Sequence, residues 1–315
     1  MSRGRLTEVG QGVLSVLGQV LVGQRSTLEG LVVALLAGGH VLLEGPPGTG
    51  KTLMVRALSR AVGGRFGRAQ FTPDLLPSDV LGTYVLRGQG GSFELREGPV
   101  FTDLLLADEI NRAPPRTQSA LLEAMQERQV TLDGRHHPLS PGFFVVATQN
   151  PLEFEGTYPL PEAQLDRFLM KLQVAYPTQA EEVALLSRFR DASPPSEAVI
   201  SPVADLADIV SLRGHLREVA ATDALLAYVA EIVRRTRRVP GVAVGAGPRA
   251  AIALFEASRA RAALSDRDFI TPDDVKAMAS PVLRHRLVLH LDAEAGGAEA
   301  DGVIAQVLGE VEVPR

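Results

Sequence analysis

Apolar and polar residues alternate along this chain in two different rhythms. Residues 40–44, 100–108, 143–148 and 168–174 carry short apolar runs, among them Val41-Leu42-Leu43 and Leu104-Leu105-Leu106, and read as buried strands. Residues 52–62 and 117–128 place apolar positions three and four apart, the spacing of a helix face. Strands alternating with helices predict an α/β fold with a parallel sheet covered on both faces. Two stretches interrupt the alternation. Residues 84–93, with Gly88 and Gly90-Gly91 at the tip, and residues 129–139, with Asp133-Gly134 at the turn, each predict a β-hairpin. Past Tyr176-Pro177 the strand rhythm stops. A helix and a Pro-rich connection, Ser193-Pro194-Pro195, occupy 178–215, and 216–290 reads as all-helical. Thr271-Pro272-Asp273-Asp274 predicts a helix start there: Thr caps, Pro takes the first turn, and the acids face the helix dipole. Residues 293–300 read as a loop before one short last helix, and no internal repeat is present.

Arg3 and Arg5 precede an apolar stretch at 13–22, which could mimic a signal peptide. Glu8 lies in the would-be basic region, and no small-x-small cleavage site follows. Val13, Leu14, Leu17, Val20 and Leu21 fall at helical spacing, so an amphipathic helix is expected. No apolar run reaches the roughly 18 residues of a membrane span, and a cytoplasmic location is the expectation. Composition narrows the chemistry. The 315 residues, at about 150 per domain, suggest two domains. Lysine and arginine against aspartate and glutamate give 32 − 37 = −5, which argues against a bulk polyanion binder but leaves a local basic groove open. Cysteine is absent, which excludes disulfides, thiolate metal sites and cysteine nucleophiles. Tryptophan is absent and aromatics are 5%, which weakens a stacking platform for single-stranded nucleic acid.

Gly45-Pro46-Pro47-Gly48-Thr49-Gly50-Lys51-Thr52 matches G-x-x-x-x-G-K-[ST], after one predicted strand and at the opening of a predicted helix. Glycines allow successive backbone N–H groups to turn inward around a polyanion, and the helix N-terminus adds partial positive charge. Lys51 would reach the β- and γ-phosphates, and the Thr52 hydroxyl would ligate Mg2+. The chain uses arginine almost everywhere else, so a lysine here points to the compact ammonium. Leu104-Leu105-Leu106-Ala107-Asp108-Glu109 ends an apolar strand in two carboxylates. Asp108 would hold Mg2+, and Glu109 would orient and polarise the attacking water. No Asn-Lys-x-Asp sequence appears, so ATP is the expected nucleotide. Asn150, at the end of another strand, either bonds the γ-phosphate or water, or is a turn residue before Pro151.

These segments, with Asp108-Glu109-Ile110-Asn111-Arg112-Ala113-Pro114-Pro115, Ala147-Thr148-Gln149-Asn150-Pro151 and Glu162-Ala163-Gln164-Leu165-Asp166-Arg167-Phe168, resemble the MoxR group of AAA+ ATPases. The resemblance extends from Val22-Gly23-Gln24 to Arg284-His285-Arg286-Leu287. It implies a three-layer αβα P-loop core with a parallel five-stranded sheet and a smaller all-α lid. The implied boundaries are a core at 1–178, a linker at 179–215 and a lid at 216–315. Val22 and Gly23 would flank the adenine, and Gly45, Pro46, Pro47, Gly48, Thr49, Gly50, Lys51, Thr52 and Leu53 would hold the rest of the nucleotide. Arg167 corresponds to an arginine finger acting on the adjacent protomer, or else is a structural arginine paired with Asp166 or Glu162. Arg249 matches a sensor 2 position that would contact phosphate in cis, or else is a solvated arginine. Arg112 could also lie at the subunit interface. Two departures are small: Gly247 stands where relatives often have Ser, and the Pro-Gly-Thr-Gly-Lys loop is the commoner AAA+ form.

The resemblance implies a homo-oligomeric ring, usually a hexamer, working as an ATP-hydrolysing molecular chaperone. Its clients would be proteins with von Willebrand factor A domains or metal-dependent enzymes, contacted by the two hairpins at the ring pore or face. His136-His137 are adjacent on a hairpin and point to opposite faces, which argues against a shared metal. Arg234-Arg235-Thr236-Arg237-Arg238 is a solvated helix face, a subunit contact or a nucleic-acid contact. Three other functions stay open: a nucleic-acid motor or loader, a magnesium-chelatase-type motor subunit, and a nucleotide-gated scaffold with little turnover. The acidic charge balance argues against the first, and the presence of Glu109 and Arg167 argues against the last.

Overall fold

The computed structural model describes residues 3–87, 92–151, 156–191 and 199–314. The amino-terminal stretch forms α1 (Arg3–Val20), which buries Leu6, Val9, Val13, Leu17 and Val20 along one face. Helix α2 (Arg25–Ala37) ends on Gly38 in the left-handed region, at φ 75°, and the chain turns into β1 (Val41–Glu44). The Gly-rich loop then opens α3 (Lys51–Ala61), followed by β2 (Phe66–Gln70), α4 (Pro77–Leu81) and the hairpin β3 (Gly82–Arg87) and β4 (Ser92–Glu97). Strand β5 (Leu104–Asp108) leads through a 3-10 turn to α5 (Pro115–Glu127), the second hairpin β6 (Gln129–Leu132) and β7 (Arg135–Pro138), and β8 (Phe144–Gln149). A single turn, α6 (Glu162–Leu165), precedes β9 (Met170–Gln173).

Five strands form one parallel sheet in the order β2-β5-β8-β1-β9. The inner strands are buried runs because helices cover both faces, with α1, α2 and α3 on one side and α4 and α5 on the other. Parallel pairing brings the carboxyl ends of β5, β8 and β1 side by side, the edge where α/β sheets bind ligands. Strand β2 is the one that residue pattern alone did not reveal. Phe66-Gly67-Arg68-Ala69-Gln70 lies at the sheet border, half exposed, and shows no apolar run.

The base of the sheet holds a buried histidine. Val145 N–H donates to His40 Nδ1 (3.0 Å), so Nε2 carries the proton and donates to Met125 O (3.2 Å). Burial pulls the His40 pKa from 6.5 down to about 4. Between those values the unfolded chain takes up a proton that the folded chain refuses. The His40 contribution is therefore complete above pH 6.5 and is lost as pH falls toward 4. Urea unfolding in steps from pH 7 to about 4 should show stability falling with pH, with a shallower slope in a His40→Asn variant. An unchanged slope in that variant would sink the assignment.

The hairpin tip at Gly88 and Gly90-Gly91 and the Pro stretch at 193–195 lie outside the described residues. The two hairpins meet where Tyr84 Oη stands 3.2 Å from His137 Nε2, and Leu86 pairs with Phe93 near the first tip, both exposed. His136 turns instead toward Thr131. Among the described residues no cluster of acidic and histidine side chains could hold a metal ion, and no helix is long and apolar enough to cross a membrane.

The remaining chain forms α7 (Gln179–Asp191), α8 (Leu206–Leu212), α9 (Asp223–Thr236), β10 (Val242–Val244), α10 (Pro248–Leu264), α11 (Pro272–Leu283), β11 (Val288–Leu289), α12 (Leu291–Ala295) and α13 (Ala300–Glu310). The stretch 216–290 is thus helical except for one addition, a short antiparallel pair of β10 with β11. Part of the expected loop at 293–300 is the end of α12. Thr271 caps α11 in a reciprocal box with Asp274. The same carboxylate, fully buried, receives Arg261 (2.7 Å) and Arg267 (2.6 Å) and ties α10 to α11. The basic run is partly spent inside the lid: Arg235 pairs with Glu310 (2.6 Å), and Arg237 donates to Ala246 O (2.8 Å). The lid packs along α1, where Gly10 leaves room for Leu264 and Gln11 donates to Leu264 O (2.6 Å).

Candidate nucleotide site

The loop between β1 and α3 is shaped by glycines at three places. A Cβ on Gly45 would run into the Val174 carbonyl. Gly48 and Gly50 sit in the left-handed region, at φ 78° and 82°, where a side chain would be strained. Nothing lies within 4 Å of a Cβ built on Gly48, so the concave side of the loop is open. Thr49 Oγ1 donates to Pro46 O (2.9 Å) and closes the turn. Lys51 Nζ folds over the loop and donates to Gly45 O (2.7 Å) and Pro46 O (2.8 Å). Burial pulls the Lys51 pKa below the ordinary lysine value, opposed by the nearby Asp108 and Glu109 carboxylates. A cleft of about 400 Å³ is lined by Pro47 to Leu53 together with Asp108, Glu109, Thr148, Gln149 and Asn150.

Thr148 organises the two carboxylates. Its hydroxyl donates to Asp108 Oδ1 (2.6 Å) and accepts from the Glu109 N–H (2.9 Å). Glu109 is left-handed at φ 56°, a conformation costing about 1 kcal/mol or more in a residue with a Cβ, which turns its backbone off the strand line. Gln70 Nε2 donates to Glu109 Oε2 (2.8 Å), and Arg112 Nη1 stands 3.3 Å from the same oxygen. Arg68 Nη2 donates to Asp108 Oδ2 (2.7 Å). The Thr52 hydroxyl and Asp108 carboxylate are hard oxygen donors on one cleft, the set that suits Mg2+. The open loop concavity, the α3 N-terminus and Lys51 suit a polyphosphate. Asn150 is buried on the cleft wall.

Arg68, Gln70 and Thr148 were not singled out from sequence. The first two lie on β2, which gave no apolar signal. Thr148 lies in the Ala147-Thr148-Gln149-Asn150 segment, where a polar residue inside a buried strand is its sequence signal.

Val22 and Gly23 lie in the α1–α2 connection. Leu21 comes within 4.0 Å of the position a Cβ would take on Gly50, so this connection borders the phosphate loop. Gln24 Nε2 anchors it to Ala175 O (2.6 Å). A second cavity, about 580 Å³, runs from Leu21 and Gly23 between α1, α2 and α10.

Arg167 and Arg249 are elsewhere. Leu169 N–H donates to His40 O (2.8 Å), so the loop carrying Arg167 stands at the amino end of β1, on the sheet edge opposite the phosphate loop. Arg249, at the start of α10, has its Nε 3.6 Å from Asp166 Oδ2 on that same edge. The expected contact of Arg249 with phosphate in cis is therefore corrected: the lid wraps the β9 border and places this residue away from its own chain's cleft. The alternative pairing of Arg167 with Asp166 or Glu162 does not form either. Asp166 is engaged by Arg286 and Arg249, and Arg167 has no ion pair among the described residues.

Residues 40–170 match the family model described as ATPase family associated with various cellular activities (AAA), and 234–307 match an AAA lid domain. The chain is 46% identical to Chaperone MoxR1 of Mycobacterium tuberculosis, covering 94% of this chain and 80% of that protein. It belongs to the MoxR family of AAA+ ATPases. Protein MoxR of Methylorubrum extorquens is 34% identical, with 87% and 85% of the two chains covered. YeaC of Bacillus subtilis is 48% identical, with 95% and 92% covered. A crystal structure from Cytophaga hutchinsonii, assigned as an ATPase, superposes on this MoxR-family chain with a TM-score of 0.90 at 38% identity, covering 99% and 97% of the two chains. Membership in the family makes the chain an ATPase and a nucleotide binder.

Proposed function

We propose that this MoxR-family ATPase is a cytoplasmic chaperone that works as a homo-oligomeric ring, a hexamer, and turns ATP hydrolysis into remodelling of client proteins. One observation carries the reading. The phosphate loop, Asp108 and Glu109 occupy one edge of the sheet, and Arg167 and Arg249 occupy the other. One copy cannot bring them together, whereas copies stacked head to tail can, and repeated heterologous contact of that kind closes into a ring.

Within such an interface the P-loop N–H groups and Lys51 cradle the phosphates, Val22 and Gly23 flank the adenine, and Thr52 and Asp108 hold Mg2+. Held there, the ion would neutralise the charge that develops on the phosphates. Glu109 orients the attacking water and accepts its proton, assisted by Asn150. For this it must first let go of Gln70 and Arg112. Arg167 of the next copy meets the γ-phosphate. The exposed Leu86–Phe93 pair on the first hairpin offers apolar surface to a client. Names of relatives support the chaperone assignment, and the family resemblance supports clients with von Willebrand factor A domains or metal-dependent enzymes.

The test is sedimentation velocity and phosphate release with and without ATP and Mg2+. The parent chain should assemble with nucleotide and hydrolyse it. Lys51→Ala should lose ATP binding by about 100-fold or more, since it leaves the phosphate charge without its ammonium. A parent chain that stays monomeric with ATP and Mg2+ would overturn the ring.

A further inference from the structure

Asp166 stands where two arginines converge. Its Oδ1 accepts from Arg286 Nε at 2.7 Å, while Arg249 Nε lies 3.6 Å from Oδ2. Arg167 is its neighbour in sequence. The Arg286 pair is deeply embedded, with 4% of the Arg286 side chain exposed. The same guanidinium donates to Phe168 O (2.7 Å), Leu169 O (3.1 Å) and Val282 O. A planar guanidinium satisfied at this many points cannot swing, so it sets the position of the Asp166 carboxylate. Oδ2 is then a fixed acceptor at the surface. Arg249, whose side chain is 56% exposed, is the long flexible group it receives.

The electrostatics point the same way. Arg249 and Arg286 share Asp166 as their carboxylate partner, and Arg167 follows it in the chain without pairing with it among the described residues. With Asp166 neutral, Arg286 would repel Arg249, which would have no reason to stay beside Arg167. With Asp166 charged, the edge keeps a net positive charge, and a single loose contact holds Arg249.

We propose that Asp166 is a positioning residue: anchored by Arg286, it holds Arg249 beside Arg167 as one receptor for the polyphosphate bound on a neighbouring copy. This rests on the head-to-tail reading above and adds a specific residue to it. Asp166 touches no nucleotide and acts only through the two arginines.

The test uses full-length chains, ATP with Mg2+, and mixed assemblies. Asp166→Asn should lower kcat about 10–100-fold, the scale of misplacing a catalytic group by an ångström. KM for ATP should stay near the parent value, because the phosphate loop of that copy is untouched. Mixing Asp166→Asn with Lys51→Ala subunits should restore turnover, since the second variant brings an intact arginine edge to the first variant's nucleotide. Arg249→Ala should add little on top of Asp166→Asn if the carboxylate acts through Arg249. Recovery for Arg167→Ala mixed with Lys51→Ala, but none for Asp166→Asn, would overturn the proposal and leave the shared site standing. Recovery for neither would overturn both. If Asp166→Asn melts early through loss of the Arg286 anchor, Asp166→Glu takes its place in the same mixtures. It keeps the charge on a longer arm, and it should show the same defect in kcat and the same rescue.

Discussion

Arg167→Ala protein should bind ATP as tightly as the parent and hydrolyse it about 10³–10⁵-fold more slowly, the range an arginine finger is worth in GTPases. Among the described residues Arg167 has no carboxylate, because Asp166 is taken by Arg286 and Arg249. An arginine with no ion pair among the described residues, on the edge opposite its own phosphate loop, is expected to contribute little to the stability of the monomer. Thermal unfolding of Arg167→Ala should therefore track the parent closely. Binding is measured with a fluorescent ATP analogue and turnover by phosphate release, at protein concentrations where the parent assembles. Mixing with Lys51→Ala should recover activity, since each variant keeps the half that the other has lost. Turnover by Arg167→Ala alone at the parent rate would remove the finger.

Glu109→Gln should slow hydrolysis about 10²–10⁴-fold, the usual worth of a positioned general base, while leaving nucleotide binding intact. An amide keeps the size of the side chain but cannot accept the proton of the attacking water. The contacts around this carboxylate make a second consequence visible. Gln70 donates to Oε2 and Arg112 lies close by, so part of the Glu109 charge is already engaged within the chain. Glutamine would lose the attraction to Arg112 yet could still hydrogen-bond Gln70. Trapped with ATP and Mg2+, the variant should accumulate in its assembled form, seen as a larger species by sedimentation. Normal turnover in this variant would assign water activation to another residue.

The chemistry-bearing parts of the cleft were readable in one dimension because each is a local device. Gly48, Gly50, Lys51 and Thr52 form a contiguous loop, and Asp108 and Glu109 end an apolar run, so spacing along the chain reports their geometry. Thr271 and Asp274 are readable for the same reason, since a helix cap is closed within one turn. Strand β2 escaped because a border strand is half wet, and its Arg68 and Gln70 look like loop residues until pairing with β5 aligns them with Asp108. Their contacts to the carboxylates depend on register between distant segments, which no local pattern encodes.

Arg249 marks the boundary most clearly. The motif around it identified an arginine at a helix start, and the family resemblance suggested phosphate in cis. Where that helix docks depends on packing that spans the whole chain: Gly10 admitting Leu264, the Asp274 clamp, and the Arg286 anchor onto Asp166. The sequence by itself determined a nucleotide-binding α/β core, its phosphate loop and its two carboxylates. Only the tertiary structure decided that Arg167 and Arg249 share the far edge, because the side of the sheet a lid covers depends on long-range burial and buried ion pairs rather than on the order of residues.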